Sequence, residues 1–143
     1  MPIHRREFRF ILSAAFAALF VFTGYLVLRP NPSMAEIGWF PGWLSNWADR
    51  YGDLRTAVPF FLLSLMWTFM SWARVKRLIA GYYGIAALLI LTELGQIFLP
   101  ERHAGLPDIL YGLIGLSAGG LVGLAGLAGL AGQQASRRFK WQG

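Results

Sequence analysis

The sequence predicts an all-α, polytopic membrane protein with four transmembrane helices, a short interfacial helix in the first external loop and both termini in the cytoplasm. Three observations favour this fold class. Hydrophobic residues make up 56% of the chain and charged residues only 14%, whereas a soluble domain carries about 25% charged residues. Four long apolar runs follow one another, and the basic residues gather at alternate ends of them.

The four predicted spans are runs of about the length that a membrane-crossing helix needs, which is roughly 20 residues with about 17 tolerated. They cover about residues 10–28, 57–73, 78–99 and 109–131, with an external loop at 29–56. Barrel strands would alternate apolar and polar residues, and these runs do not. The chain, 1–143, is therefore expected to form a single membrane domain.

The basic residues predict the orientation of the chain. Nine fall on one predicted side, namely Arg5, Arg6, Arg9, Arg74, Lys76, Arg77, Arg137, Arg138 and Lys140, and four on the other, namely Arg29, Arg50, Arg55 and Arg102. The positive-inside rule then places both termini in the cytoplasm of a protein of the cell inner (plasma) membrane. This topology accounts for the net charge of +6, so no nucleic-acid partner is predicted.

The first external loop contains Trp39, Trp43 and Trp47 at four-residue spacing, and Pro41 suits the first turn of a helix. The spacing predicts a short helix in the outer interface with its indole rings at headgroup depth. Two interpretations stay open. The tryptophans form an aromatic belt that only anchors the chain, or they form a platform over a site between the helices.

The fourth span contains Gly115, Gly119 and Gly123 at four-residue spacing. This pattern puts three glycines on one helix face and allows another helix to approach closely. The partner is another span of the same chain or a second copy. The pattern favours the same chain, because a four-helix bundle needs tight internal contacts.

Most of the polar chemistry near membrane depth lies around the end of the third span. Glu93 and Gln96 share a helix face, and an acid inside a span indicates a functional site. Pro100 is expected to end the helix and let Arg102 fold back over Glu93, while Asp108 starts the fourth span, where a carboxylate suits a helix N-terminus. The alternative is structural, an ion-paired clasp between spans three and four.

These residues resemble the signature of the VanZ-like membrane proteins. The matching positions are Glu93, Gln96, Phe98, Pro100, Arg102, Asp108 and Gly115. The number and order of spans are also similar to that family. The resemblance implies a cell-envelope role like that of the family's namesake, which is associated with resistance to the lipoglycopeptide teicoplanin. It also implies that the external cluster meets an anionic lipid-linked or peptidoglycan-related molecule, with Arg102 binding phosphate or carboxylate.

The chain departs from the family pattern at several polar positions. It has Gly105 where the family usually has a second acid and Gly112 where the family has Asn, and the segment 53–57 lacks the usual Lys and His. These losses favour an alternative, a noncatalytic accessory or scaffold subunit of a larger membrane complex. A small transporter is less well supported, because Glu93 is the one ionisable residue inside the spans.

The sequence also limits the chemistry that the chain can perform. It has no Cys and two His on opposite predicted sides of the membrane, so neither a disulfide, a thiol nucleophile nor a His-pair metal site is predicted. No phosphate-binding glycine loop is present, and no cofactor is predicted. Expected partners are membrane lipid, a lipid-linked envelope precursor and other membrane subunits. Glu93 suits either a base or a counter-ion, so the residues leave open whether the protein is an enzyme.

Overall fold

A computed structural model describes residues 5–31, 33–72, 74–99 and 105–140. This part of the chain forms five α-helices and no strand, which confirms the all-α prediction. The helices are α1 (Arg5–Leu28), α2 (Gly42–Arg50), α3 (Gly52–Met70), α4 (Val75–Gln96) and α5 (Leu106–Lys140).

Three of these helices are long and apolar enough to cross a membrane, and the sequence predicts four. The three segments are Glu7–Leu28, Val75–Gln96 and Leu106–Gln134. The fourth predicted span, at 57–73, is not among them: most of it lies in α3, whose 19 residues are long enough but which is less apolar than the other three. Its first turns carry Asp53 and Arg55, and these charges lower the mean hydropathy of so short a helix.

Helix α3 runs alongside α5 in the same direction, and the two helices are in contact through the glycine face of α5. Gly115 lies against the backbone of Ala57 near the start of α3, and Gly123 lies against Thr68 near its end. A Cβ at Gly119 would overlap the Phe61 carbonyl oxygen. Gly115, Gly119 and Gly123 form one face of α5, and we call the contact of this face with α3 the glycine seam. Backbone contact of this kind is typical of small-residue faces in membrane helices.

The other two long helices run in the opposite direction. Leu28, the last residue of α1, packs on Gly95 near the end of α4, so these two helices finish together. The indole of Trp67, near the end of α3, bonds to the carbonyl of Leu78 near the start of α4. The bundle therefore has an α2 end, where α1 and α4 finish and α3 and α5 begin, and an opposite end, the arginine end, where α3 turns into α4.

The core lies midway between the two ends and is contributed by three helices. Its buried members are Phe60, Leu63, Ile85, Leu89 and Leu116. Aromatic side chains of α1 cover it from one side. Buried hydroxyl groups occur within the same helices, and they bond to carbonyls one turn earlier, as Thr68 does to Ser64 and Thr92 to Leu88. Such bonds satisfy hydroxyl groups where no water is present.

The loop between α1 and α2 is tied to α2 by a single carboxylate. Asp49 accepts hydrogen bonds from the backbone N–H groups of Met34 and Ala35, at 2.7 and 3.2 Å, and from the Ser33 hydroxyl at 3.3 Å. Met34 is buried and packs with Ala48 of α2. The loop is thus a folded cap over the α2 end.

A short helix occurs in this loop as the spacing of tryptophans predicts, but it begins after the first of them. Pro41 immediately precedes α2 at Gly42, so Trp39 lies before the helix and packs on Phe22 of α1 with ring centroids 6.1 Å apart. Trp43 is 73% exposed, while Trp47 is half-buried against the loop. The three indoles therefore do not form one continuous face.

Candidate functional site

At the α2 end, a cleft of about 50 Å³ opens between α1, α3, α4 and α5. Its walls combine apolar side chains with four polar ones. The lining residues are Leu26, Val27, Met34, Arg55, Thr56, Pro59, Gln96 and Asp108. A space of this size holds a few water molecules or the tip of a polar headgroup.

The innermost polar groups belong to α4. Gln96 lines the cleft and is 4% exposed, and Glu93, one turn earlier on the same face, is 2% exposed. The Gln96 Nε2 donates a hydrogen bond to Glu93 Oε1 at 3.3 Å. Burying a carboxyl group at this depth costs free energy unless neighbouring dipoles or charges stabilise it. The glutamine amide is therefore oriented by the acid behind it.

Asp108 enters the cleft from the first turn of α5. Its Oδ1 accepts a hydrogen bond from the Thr56 hydroxyl at 3.1 Å, which connects α5 to the start of α3. The backbone N–H of Asp108 bonds to the carbonyl of Gly105 at 3.1 Å. A carboxylate in the first turn also interacts favourably with the helix dipole. Asp108 thus has a fixed position between two helices that begin side by side.

Arg55 is the cation of the described cleft, and sequence analysis did not assign it to the site. Its Nη1 lies 3.6 Å from Asp49 Oδ1, and its side chain is 22% exposed. The signal was present in the sequence, since Arg55 and Thr56 sit at the very start of an apolar helix. Their relevance depends on α3 and α5 being parallel neighbours, which no local pattern reveals.

The structure brings together three of the four residues predicted for the polar cluster. Gln96 and Asp108 line the same cleft, and Glu93 contacts Gln96 from behind. Arg102, which was expected to fold over Glu93, lies outside the described residues. In the described part of the chain, the guanidinium on the cleft is that of Arg55.

The cleft contains acceptors from a carboxylate and an amide, a hydroxyl donor and a guanidinium. A guanidinium presents several N–H donors in a fork that fits phosphate or carboxylate oxygens. Within the described ranges, no three His, Asp or Glu side chains converge as metal ligands. The arrangement is therefore suited to binding a small polar group at the membrane boundary.

Comparisons of the chain with models of known protein families, with curated proteins and with solved structures return no match. The resemblance to VanZ-like proteins accordingly rests on the motif residues alone.

Proposed function

We propose that the chain is a multi-pass protein of the cell inner (plasma) membrane, with the α2 end on the outer face and both termini in the cytoplasm. Three helices of sufficient length and apolarity support the membrane location. The orientation is supported by Arg74, Lys76 and Arg77, which follow one another at the arginine end. In this proposal α3 returns the chain through the bundle, with its polar Ser64 and Thr68 buried against neighbouring helices.

The proposed function of the cleft is to bind the anionic headgroup of a lipid-linked or peptidoglycan-related envelope molecule, in a role similar to that of VanZ-like proteins. The observation that carries this proposal is the convergence of Arg55, Thr56, Gln96 and Asp108 on one cleft at the boundary of the bundle. A lipid-linked ligand would enter between the helices from the membrane and present its phosphate at this level.

Each polar residue has a distinct task in this proposal. Arg55 supplies the charge and forked donors for the phosphate, and its contact with Asp49 fixes the direction of the guanidinium. The second Nε2–H of Gln96 donates to a neighbouring oxygen of the headgroup, and Thr56 holds Asp108 through its own hydrogen bond. Glu93 orients the Gln96 amide through its hydrogen bond, so we assign it a positioning role.

A direct binding measurement tests the proposal. The purified protein in detergent is titrated with a short-chain polyprenyl diphosphate and, separately, with the uncharged polyprenol, and binding is followed by native mass spectrometry. We expect the diphosphate to bind and the alcohol not to. Replacing Arg55→Gln should weaken binding about tenfold or more, because a charge-assisted hydrogen bond contributes about 1.5–3 kcal/mol.

The matched control is Arg50→Gln, which removes an exposed guanidinium at the same end of the bundle outside the cleft. Its affinity should stay within about twofold of the unaltered protein, since exposed charges contribute less than about 1 kcal/mol. Equal binding of the alcohol, or an equal loss in Arg50→Gln, would show that the cleft does not recognise the anion. Thermal unfolding of each variant checks that the fold is retained.

The alternative, an accessory or scaffold subunit, depended partly on a glycine face available to another protein. That face is occupied by α3 of the same chain, since Gly115 and Gly119 lie against its backbone. No described surface feature takes its place, so the cleft carries the proposed function. Extraction in mild detergent followed by mass measurement would support a subunit role only if the chain copurifies in a defined complex.

A further inference from the structure

A second cavity lies at the arginine end, far from the cleft along the bundle. It has a volume of about 320 Å³ and is enclosed by the start of α1, the end of α3 and the start of α4. Its polar wall is formed by Arg9, Arg74 and Arg77 with Ser13, and its apolar wall includes Phe69 and Trp72. Three arginines, one from the start of α1 and two from the start of α4, therefore line one space.

The described lining of this cavity carries positive charge only. Among the described residues that line it, none has a carboxylate. The two ion pairs of the described residues join Arg29 to Glu36 and Arg55 to Asp49, both at the other end of the bundle. Three positive charges in one concave space favour an anion carrying more than one oxygen acceptor.

One of the three arginines is held in place by the interior of the bundle. The Arg77 guanidinium lies over the Trp67 ring, 5.4 Å from its centroid. The Trp67 Nε1–H in turn bonds to the Arg77 and Leu78 carbonyls at 3.2 Å. Gly81 makes room for this indole, because a Cβ there would overlap the Trp67 ring. The stack reduces the conformational freedom that Arg77 would lose on binding an anion.

The apolar wall of the cavity faces the region that lipid would occupy. Phe69 is 40% exposed and Trp72 is 47% exposed, and Trp72 follows the last turn of α3, where interfacial aromatic residues are common. Leu12, two turns into α1, continues the apolar lining toward the middle of the bundle. An anion in this cavity would therefore have acyl chains beside it.

We propose that this cavity binds the phosphate of an anionic glycerophospholipid, with Arg9, Arg74 and Arg77 around the headgroup and the acyl chains along Leu12 and Phe69. Basic pockets between membrane helices bind anionic headgroups in this way. The site is separate from the cleft at the α2 end. It does not depend on the function proposed for that cleft, because it shares no lining residue with it.

The test uses the full-length protein in a neutral detergent, titrated with phosphatidylglycerol, with phosphatidylcholine and with inorganic phosphate, and followed by native mass spectrometry. We expect phosphatidylglycerol to bind at least tenfold more tightly than phosphatidylcholine, and inorganic phosphate not to bind at comparable concentration. Replacing Arg77→Gln should weaken phosphatidylglycerol binding about fivefold, and the combination with Arg9→Gln and Arg74→Gln about a hundredfold.

Lys76→Gln is the matched control. Lys76 is exposed, lies between Arg74 and Arg77 and does not line the cavity, so its loss should change the affinity by less than about twofold. An equal loss in this variant, or equal binding of phosphatidylcholine, would overturn the proposal in favour of unspecific surface attraction. Binding of inorganic phosphate as tight as that of the lipid would contradict a lipid occupant. Circular dichroism of each variant confirms that its helices are intact.

Discussion

At the scale of single residues, Asp49 connects two parts of the α2 end. Its two carboxylate oxygens accept hydrogen bonds from the loop at Met34 and Ala35, and one of them also lies near Arg55. The same side chain therefore holds the loop between α1 and α2 in its fold and sets the direction of the guanidinium in the cleft. Removing it leaves loop N–H groups without their partner while the loop remains packed on α2.

We expect Asp49→Ala to lower the free energy of unfolding by about 2 kcal/mol, since it removes several hydrogen bonds to a charged acceptor. Unfolding in increasing sodium dodecyl sulfate, followed by circular dichroism, measures the change. Asp53→Ala is the control, because Asp53 is exposed in the first turn of α3 and should cost less than about 1 kcal/mol. Equal losses in the two variants would contradict the role given to Asp49.

At the scale of helices, the glycine seam determines how the bundle is assembled. Gly119 is in contact with the Phe61 carbonyl oxygen and with the Ser64 hydroxyl. Contact with backbone atoms cannot be relieved by a side-chain rotation, so any larger residue must separate α3 from α5. Later glycines of α5 differ, because nothing lies within 4 Å of a Cβ placed at Gly129.

This difference predicts opposite results for two identical substitutions on one helix. Gly119→Ala should destabilise the protein by about 1–3 kcal/mol through overpacking. Gly129→Ala should leave stability unchanged or raise it by up to about 1 kcal/mol, because alanine is the better helix former. Thermal unfolding in detergent compares the two variants. A Gly119→Ala protein as stable as the unaltered one would show that α3 and α5 are not in backbone contact.

Apolar runs predict α1, α4 and α5 well and the start of α3 poorly. The runs at 10–28 and 109–131 fall inside α1 and α5, and the run at 78–99 extends three residues beyond the end of α4, because length and apolarity are local properties. Sequence reasoning treated 57–73 in the same way and missed that α3 starts at Gly52, with charged residues included in its first turns. A polar first turn that continues into an apolar helix has no apolar signature of its own.

At the scale of the whole molecule, the described polar features divide between the two ends of the bundle. The cleft with Gln96 and Asp108 lies at the α2 end, and the cavity with Arg74 and Arg77 lies at the other. Sequence analysis predicted the first from an acid inside a span. It explained the basic residues of the second by the orientation of the chain in the membrane alone, because the start of α1 and the turn after α3 come together only in the folded bundle.

The proposed orientation is tested by chemical labelling, since the chain has no Cys. Single substitutions Ala35→Cys and Asn46→Cys place an exposed thiol at the α2 end, and Lys76→Cys places one at the arginine end. In intact cells, an impermeant thiol reagent should label the first two, and the third only after permeabilisation. The reverse pattern would invert the protein and put the cleft on the cytoplasmic side.

Because α3 and α5 touch through their backbones along the glycine seam, neither can rotate or slide against the other without a collision. Helix α1 meets the bundle mainly through larger side chains such as Phe16 and Phe20, which can change rotamer. If ligand entry requires the cleft to widen, α1 and the loop after it are therefore the parts that move, while α3 and α5 keep their relative position. A cross-link between α3 and α5 should then leave ligand binding unchanged, and a cross-link between α1 and α3 should block ligand binding.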